Sequence, residues 1–410
     1  LRYRTGIHKC SSPRRSIPEK PIFHFIFGLP WLLVVTRFLW PLHLPLAAKF
    51  VVALLLLVAS QFHFWSKLSS GSVLCPEFPR PVAVLFNWAF GGIILLALQQ
   101  LLLDAATLVG GLIPGGSLSV QDGFRYAMAG LAACLAAIGV MQATRIPPLK
   151  DIEVRIQGLP RQFDGYTILQ LTDLHISRLF PAAWARAVVE RSNILGVDLI
   201  AITGDLIDGT LAVRRADVEP LRDLRATDGV YMIPGNHEYY FGYAAWMQHY
   251  ASMGMVTLEN RHVVFDRGGE RLVLAGVTDR ASRGGGFTAP NIEAAVEGSP
   301  DGAPVILLDH QPSEARRAAA LGVKLQLSGH AWWIGRRAGS ARRARQRGLC
   351  LRPLPSRWDD ALREQRHWSL ARIRIASRPA VGTHARYTAR SSALRTLGQS
   401  PSSPLPMLTN

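Results

Sequence analysis

Four apolar stretches, each about 20 residues long, lie at roughly 22–42, 46–65, 82–103 and 124–143. About 20 apolar residues in a helix match the ~30 Å hydrocarbon core of a bilayer. Four of them in so short a span, almost free of charge, do not suit the buried helices of a soluble core. A cleaved signal peptide needs one apolar region, so that reading also fails. The stretches predict a membrane region at 21–145 with about four transmembrane helices, behind a basic segment at 1–20. Lys and Arg set the predicted orientation. The N-terminal segment is basic, loop 66–81 holds Lys67 and Arg80, loop 104–123 holds Asp104 and Asp122 without Lys or Arg, and Arg145, Lys150, Arg155 and Arg161 follow the last span. This alternation predicts an integral membrane protein with four spans and both ends of the region on the cytoplasmic side. Arg37 and Lys49, beside the first outer turn, run against it.

The remainder divides again by composition. Of the formal net charge of +17, residues 331–410 carry +13, from 16 Arg, no Lys and 3 acidic residues. Dispersed Arg with few aromatics and no recognisable motif argues against a nucleic-acid-binding arm. It predicts a tail that is disordered or out of frame. Cys10, Cys75, Cys134 and Cys350 are scattered, which supports neither a disulfide framework nor a Cys-based zinc site.

Between them, residues 146–330 read as a layered α/β domain. Pro147-Pro148 marks the exit from the membrane region, and 151–156 alternates like a half-buried strand. Short apolar runs then alternate with helical segments, at Ala182–Leu195, Val218–Leu224, Tyr243–Met253 and Ser313–Ala320. Five apolar runs end in residues able to bind metal: Asp173 and His175, Asp205, Asn236 and His237, His310, and His330. In open α/β sheets, ligands gather beyond the carboxyl ends of the strands. Mixed carboxylate, amide and imidazole donors suit Mn, Fe or Zn better than Ca or Mg. Asp205 is the natural carboxylate to bridge two cations, an arrangement that serves in-line phosphoryl displacement. Each piece alone is weak; the ordered combination at strand ends is specific.

In that combination residues 166–330 resemble the calcineurin-like metallophosphoesterase family, in its membrane-associated bacterial branch. The matching blocks are Asp173-Leu-His175, Gly204-Asp205-Leu-Ile-Asp208, Gly235-Asn236-His237-Glu238, His310 and Gly329-His330. The resemblance implies a four-layer α-β-β-α sandwich. It also implies two divalent cations, the first on Asp173 and His175, the second on Asn236, His310 and His330, with Asp205 bridging. His237 would protonate the leaving oxygen or stabilise charge on the phosphoryl group, a bridging hydroxide would be the nucleophile, and Asp208 and Glu238 would support the loops. The reaction implied is hydrolysis of a phosphomonoester, phosphodiester or pyrophosphate. Beside a lipid bilayer, the substrate is expected to be lipid-linked or membrane-proximal, with no nucleic-acid partner. Loops Tyr239–Trp246 and Arg280–Pro290 are where specificity would lie.

The last block departs from the family pattern, which reads Gly-His-x-His-Gly-Gly. Here Ala331-Trp332-Trp333 follows His330, and Trp cannot ligate. Thr-His-Gly-Gly can be written ACG CAT GGT GGN, and the same DNA begun two bases later reads GCA TGG TGG, Ala-Trp-Trp. We read a frame change immediately after His330, an idea that fails if no other frame there encodes His-Gly-Gly. The alternative function is then a membrane protein whose metallophosphoesterase domain is degenerate and inactive; an Arg-tail nucleic-acid binder is the third.

Overall fold

The computed structural model describes residues 22–73, 75–112, 120–330, 352–353 and 370–377. All four apolar stretches are helical. Helix α1 (Ile22–Leu33) continues as a π-helical turn, Val34–Leu39. Helices α2 (Leu46–Ser60) and α3 (Phe62–Ser70) bend by 54° at their junction. Helices α4 (Arg80–Gly111) and α5 (Asp122–Ala143) are each long and apolar enough to cross a membrane, and the bent pair makes a third candidate if taken as one span. The first stretch gives a shorter apolar helix, Phe27–Leu39. Only 22% and 17% of the most apolar windows of α4 and α5 is covered by the rest of the chain. Leu98, Leu101, Leu102 and Leu108 stand exposed along α4, a continuous apolar surface that needs a non-aqueous neighbour. The two cations that opposed the charge pattern are paired. Arg37 grips Asp104 through two bonds of 3.0 and 3.1 Å, and Lys49 donates to the Trp40 carbonyl at 2.7 Å.

After a six-residue linker at 144–149 the chain builds two sheets. The strands are β1 (Lys150–Ile156), β2 (Thr167–Leu171), β3 (Leu199–Ile202), β4 (Val230–Met232), β5 (Val256–Thr257), β6 (Arg261–Arg267), β7 (Glu270–Gly276), β8 (Val305–Leu308), β9 (Leu325–Leu327), β10 (Arg352–Pro353) and β11 (Leu370–Ser377). The first sheet runs β1-β11-β2-β3-β4-β5 and the second β10-β9-β8-β7-β6. Pairing is parallel from β2 through β5 and from β7 through β9. Parallel strands covered on both faces need unbroken apolar sequence, which is why β2, β3 and β8 lack clean alternation.

Alternate residues feed separate layers. Ile168, Leu199 and Ala201 meet Leu274, Ile306 and Leu327 of the other sheet in a core between the sheets. Leu169, Leu171, Ile200 and Ile202 face outward onto helices α6 (Ala182–Asn193) and α9 (Tyr243–Ser252). Val273, Ala275, Val305 and Leu307 face the opposite way onto α10 (Ile292–Val296) and α11 (Ala315–Ala320). This is the four-layer α-β-β-α arrangement. Two short helices complete the first half, α7 (Leu211–Val218) and α8 (Asn236–Tyr240).

Two expectations change. The helix expected over Val218–Leu224 is instead the end of α7 followed by a 3₁₀ turn, Glu219–Asp223. Pro220, with no N–H and a clash against the preceding turn, cannot continue an α-helix. The tail expected to be unstructured supplies β11, wedged between β1 and β2, with Leu370, Ala371, Ile373 and Ile375 fully buried. Trp332, and with it the frame change expected after His330, lies outside the described residues.

The globular part touches the membrane region at a second place besides the linker. Arg80, first residue of α4, donates from Nε to the Leu179 carbonyl at 3.3 Å, and Cys75 is buried in the same core cluster as Leu206, Ile207 and Trp246.

Candidate metal centre

The loops leaving β2 and β3 run side by side beyond the sheet. Asp173 N donates to the Gly204 carbonyl, His175 N to Asp205 and Ile176 N to Leu206, at 3.1, 3.1 and 2.8 Å. This lays Asp173 and His175 alongside Asp205. Among the described residues, five non-glycine residues have positive φ: Asp173 (50°), His175 (45°), Asp205 (54°), His330 (51°) and Asn260 (56°). Left-handed backbone is costly for residues with a Cβ and tends to be kept where function requires it. Four of these five are the residues singled out from the sequence as ligands.

Close approach explains the preceding glycines. At Gly204, φ is 93° and a Cβ would lie 2.5 Å from the Gly235 nitrogen. At Gly235 a Cβ would lie 2.2 Å from Asp205 Oδ1. Both glycines let two strand-end loops touch.

The side chains converge on Asp205, which is 2% exposed. Its Oδ2 lies 3.3 Å from His310 Nε2, 3.9 Å from His175 Nε2 and 3.9 Å from His237 Nε2, while Oδ1 accepts the His237 backbone N–H at 2.8 Å. His310 Nε2 is also 3.2 Å from Asn236 Oδ1, and the His310 and His330 rings are 5.1 Å apart. Asp173 Oδ1 is 4.0 Å from His175 Nε2. Three clusters result among the described residues, each with ligand atoms within 4.8 Å of one another: Asp173–His175–Asp205 and Asp205–His310–His330, which share Asp205, and His175–Asp208–His237 beside them. Atoms bound to one cation at ~2.0–2.2 Å fall roughly 3–4 Å apart, so the spacing and the donor set fit divalent cations.

The outer partners fix the rings. His310 Nδ1 donates to the Thr203 carbonyl at 2.7 Å, which leaves Nε2 as its ligand nitrogen. Asp208 Oδ1 takes His175 Nδ1 at 3.0 Å and His237 Nδ1 at 2.5 Å, turning both Nε2 atoms toward Asp205. Glu238, fully buried, accepts the N–H groups of Gly235 (2.7 Å), Leu206 (2.9 Å) and Asp205 (3.0 Å), and the Tyr250 hydroxyl (3.3 Å). It ties the β3 loop to the β4 loop. Sequence reasoning missed three polar residues here. Gln170 Nε2 bridges Thr203 Oγ1 (2.9 Å) and the Ser328 carbonyl (3.1 Å), and Thr172 Oγ1 donates to Asp173 Oδ2 at 2.6 Å. A polar Gln inside an otherwise apolar strand was the available signal. Beside His237, Tyr239 stacks on Tyr243 at 4.3 Å and Phe287 closes on both at 5.5 and 4.8 Å, joining the two loops expected to set specificity.

Charge follows geometry. Burial disfavours the Asp205 carboxylate, but His310, His237 and His175 hold it far below the usual carboxylate range. Burial likewise disfavours charge on His175, but the hydrogen bond and charge of Asp208, with Asp205 and Asp173, push it up to about 9. His175 therefore holds a proton at pH 7, below its raised value. A cation taking Nε2 must displace that proton. Adding Mn to the chain in weak buffer at pH 7 is expected to release protons, that of His175 among them, with apparent affinity rising with pH at least up to about 9. A pH electrode reads the first and titrations across pH the second; a flat affinity would exclude the coupling.

The comparisons with known proteins bear on the domain that carries these residues. Residues 166–331 match the family model of the calcineurin-like phosphoesterases. A transmembrane protein with metallophosphoesterase domain from Danio rerio is 32% identical over 49% of this chain and 48% of its own length. Its counterpart from Bos taurus is 33% identical over 48% and 47%. An uncharacterised metallophosphoesterase of Helicobacter pylori strain J99 is 32% identical over 47% and 50%. The chain spans about half the length of these relatives. Family match, four-layer fold and converging strand ends together identify residues 166–331 as a calcineurin-like metallophosphoesterase domain.

Proposed function

We propose that the chain is a membrane-embedded phosphoesterase whose centre takes two divalent cations, Mn, Fe or Zn. The observation that carries this is Asp205, shared by two ligand clusters. Asp173 and His175 would hold one cation, Asn236, His310 and His330 the other, with Asp205 between. When bound, the pair supplies Lewis-acid stabilisation of phosphoryl oxygens and an activated water. The chain's own contribution is orientation. Asp208 fixes His237 by Nδ1, so that a proton on Nε2 faces the cleft and can pass to the leaving oxygen. General-acid groups of this kind are worth about 10²–10⁴-fold. His237→Asn is expected to lower kcat toward an aryl phosphodiester by about that factor, while Mn affinity falls by less than the ~10-fold that marks loss of an outer partner. A comparable loss of Mn affinity would make His237 a ligand instead.

The loop before α4 and the residues after α5 lie beside the same domain, which supports α4 and α5 as a pair of crossings that returns the chain to one side. The cytoplasmic site in a bacterial inner membrane is our reading of the Lys and Arg alternation and the family resemblance, and a lipid-linked or membrane-proximal phosphoester is the substrate we propose with it. The second reading, an inactive relative, is motivated by Trp332, which stands where the family pattern has a His. Mn binding without hydrolysis above an Asp205→Asn blank would favour it.

A further inference from the structure

A polar cluster joins the loop between α3 and α4 to Asp208. Arg214 of α7 is fully buried. Its Nε donates to the Asp208 carbonyl at 3.0 Å, and Nη1 reaches Asp217 at 3.2 Å. Its Nη2 pairs with Glu77 Oε1, which comes from the loop between α3 and α4. The second Glu77 oxygen takes Arg178 Nε at 3.0 Å, and its backbone N–H donates to Ser69 Oγ of α3 at 3.1 Å. Two residues earlier, Cys75 is 2% exposed, with Sγ 3.0 Å from the same Asp208 carbonyl. Room for this exists because residue 209 is glycine: a Cβ there would lie 2.9 Å from Arg214 Cγ and 3.1 Å from Cys75 Sγ.

The Asp208 peptide is thus held from behind by Arg214 and Cys75, while its carboxylate holds His175 and His237 in front. We propose that the segment Cys75–Arg80 is a docking strut by which the membrane region sets the position of Asp208, making Glu77 a positioning residue for both imidazoles. The chemistry requires a partner of this kind. A buried guanidinium left with one carboxylate instead of two must find another acceptor or draw in water, and either shift moves the carbonyl it anchors. Burial also pushes the Cys75 thiol up to about 12, with Arg214 opposing and Glu77 assisting, so this cysteine stays a thiol and reports on the docked state by failing to react. The docking stands on contacts alone. From the phosphoesterase reading it borrows only the use of His175 and His237.

The test uses the full chain in lipid nanodiscs, with Glu77→Ala and Glu77→Gln. Three readouts are compared: maleimide labelling of Cys75 by peptide mass spectrometry, hydrogen exchange, and Mn(II) binding by electron paramagnetic resonance. In Glu77→Ala, Cys75 labelling and exchange across 172–178 and 205–214 are expected to rise at least ~10-fold, while the strand Glu270–Gly276 is unchanged. Mn binding is expected to weaken by ~10–100-fold, as for other outer partners of a metal ligand. Glu77→Gln, which keeps one acceptor oxygen, is expected to restore part of each. Cys75 as protected as in the unsubstituted chain would overturn the docking. Cys75 freed with exchange and Mn binding unchanged would reduce the strut to a tether and overturn the positioning role. Exchange rising equally in Glu270–Gly276 would mean general unfolding and would also count against it. No Mn binding by the unsubstituted chain would remove the two-cation reading instead, leaving exchange and labelling to decide the strut.

Discussion

Asp205→Asn is expected to abolish hydrolysis and to weaken Mn binding at both positions by more than ~100-fold, beyond the range seen for outer partners. The substitution is nearly isosteric, so its effect can be traced to one atom. The Asn carbonyl can still accept the His237 backbone N–H, as Oδ1 does at 2.8 Å. The amide NH2 then stands where Oδ2 faces His310, His175 and His237. A donor replaces an acceptor, and the negative charge that two cations would share is lost. The fold should survive, since Asp205 contributes to the loop through its backbone bonds to Glu238 and His175. Stoichiometry by calorimetry would read the outcome. Loss of one Mn with retention of the other would mean that Asp205 serves a single cation.

Glu238→Ala is expected to give the largest loss of stability in the domain, roughly 3–5 kcal/mol, because it strands several buried donors at once. The N–H groups of Gly235, Leu206 and Asp205 and the Tyr250 hydroxyl all converge on this carboxylate. Glutamine is no remedy. Oε2 serves Gly235 and Asp205 while Oε1 serves Leu206 and Tyr250, so one pair would meet an amide NH2. Burial and the nearby Asp205 raise the Glu238 pKa while the backbone N–H groups lower it; the four bonds it accepts call for the carboxylate, since a proton on either oxygen would face a donor. Denaturant unfolding followed by Trp246, buried on α9, measures the effect. A change under about 1 kcal/mol would mean that water replaces the carboxylate.

The parts of this structure that could be read from the sequence are those written locally. Apolar runs such as Leu199–Ile202 and Val305–Leu308 announce doubly covered strands, and the residues that follow each run sit at strand ends by necessity. The same holds for the Gly-Asp and Gly-Asn pairs, since the glycine is demanded by its neighbour loop. Strand β11 was equally local: Leu370, Ile373 and Ile375 face inward while Arg372 and Arg374 do not. It was obscured because the surrounding Arg-rich composition reads as disorder, and composition averages over an eight-residue pattern. Glu77 and Arg214 belong to another class. They are 137 positions apart, and nothing in either neighbourhood marks one as the partner of the other. Only a folded chain reveals such a pair.

Among the described residues the helices meet the domain along Cys75–Arg80 and along residues 144–149, and this has a geometric consequence. A domain on a single flexible tether of six residues sweeps a cap of radius up to ~20 Å and presents its cleft in every direction. A second attachment at a separate helix end converts that ball joint into a bracket. Rotation about the tether stops, and the cleft keeps one bearing and one elevation relative to the helix ends. With α4 and α5 in a bilayer, a phosphate anchored at the matching depth would meet the site without an orientational search, while the same phosphate free in solution would gain nothing from the scaffold.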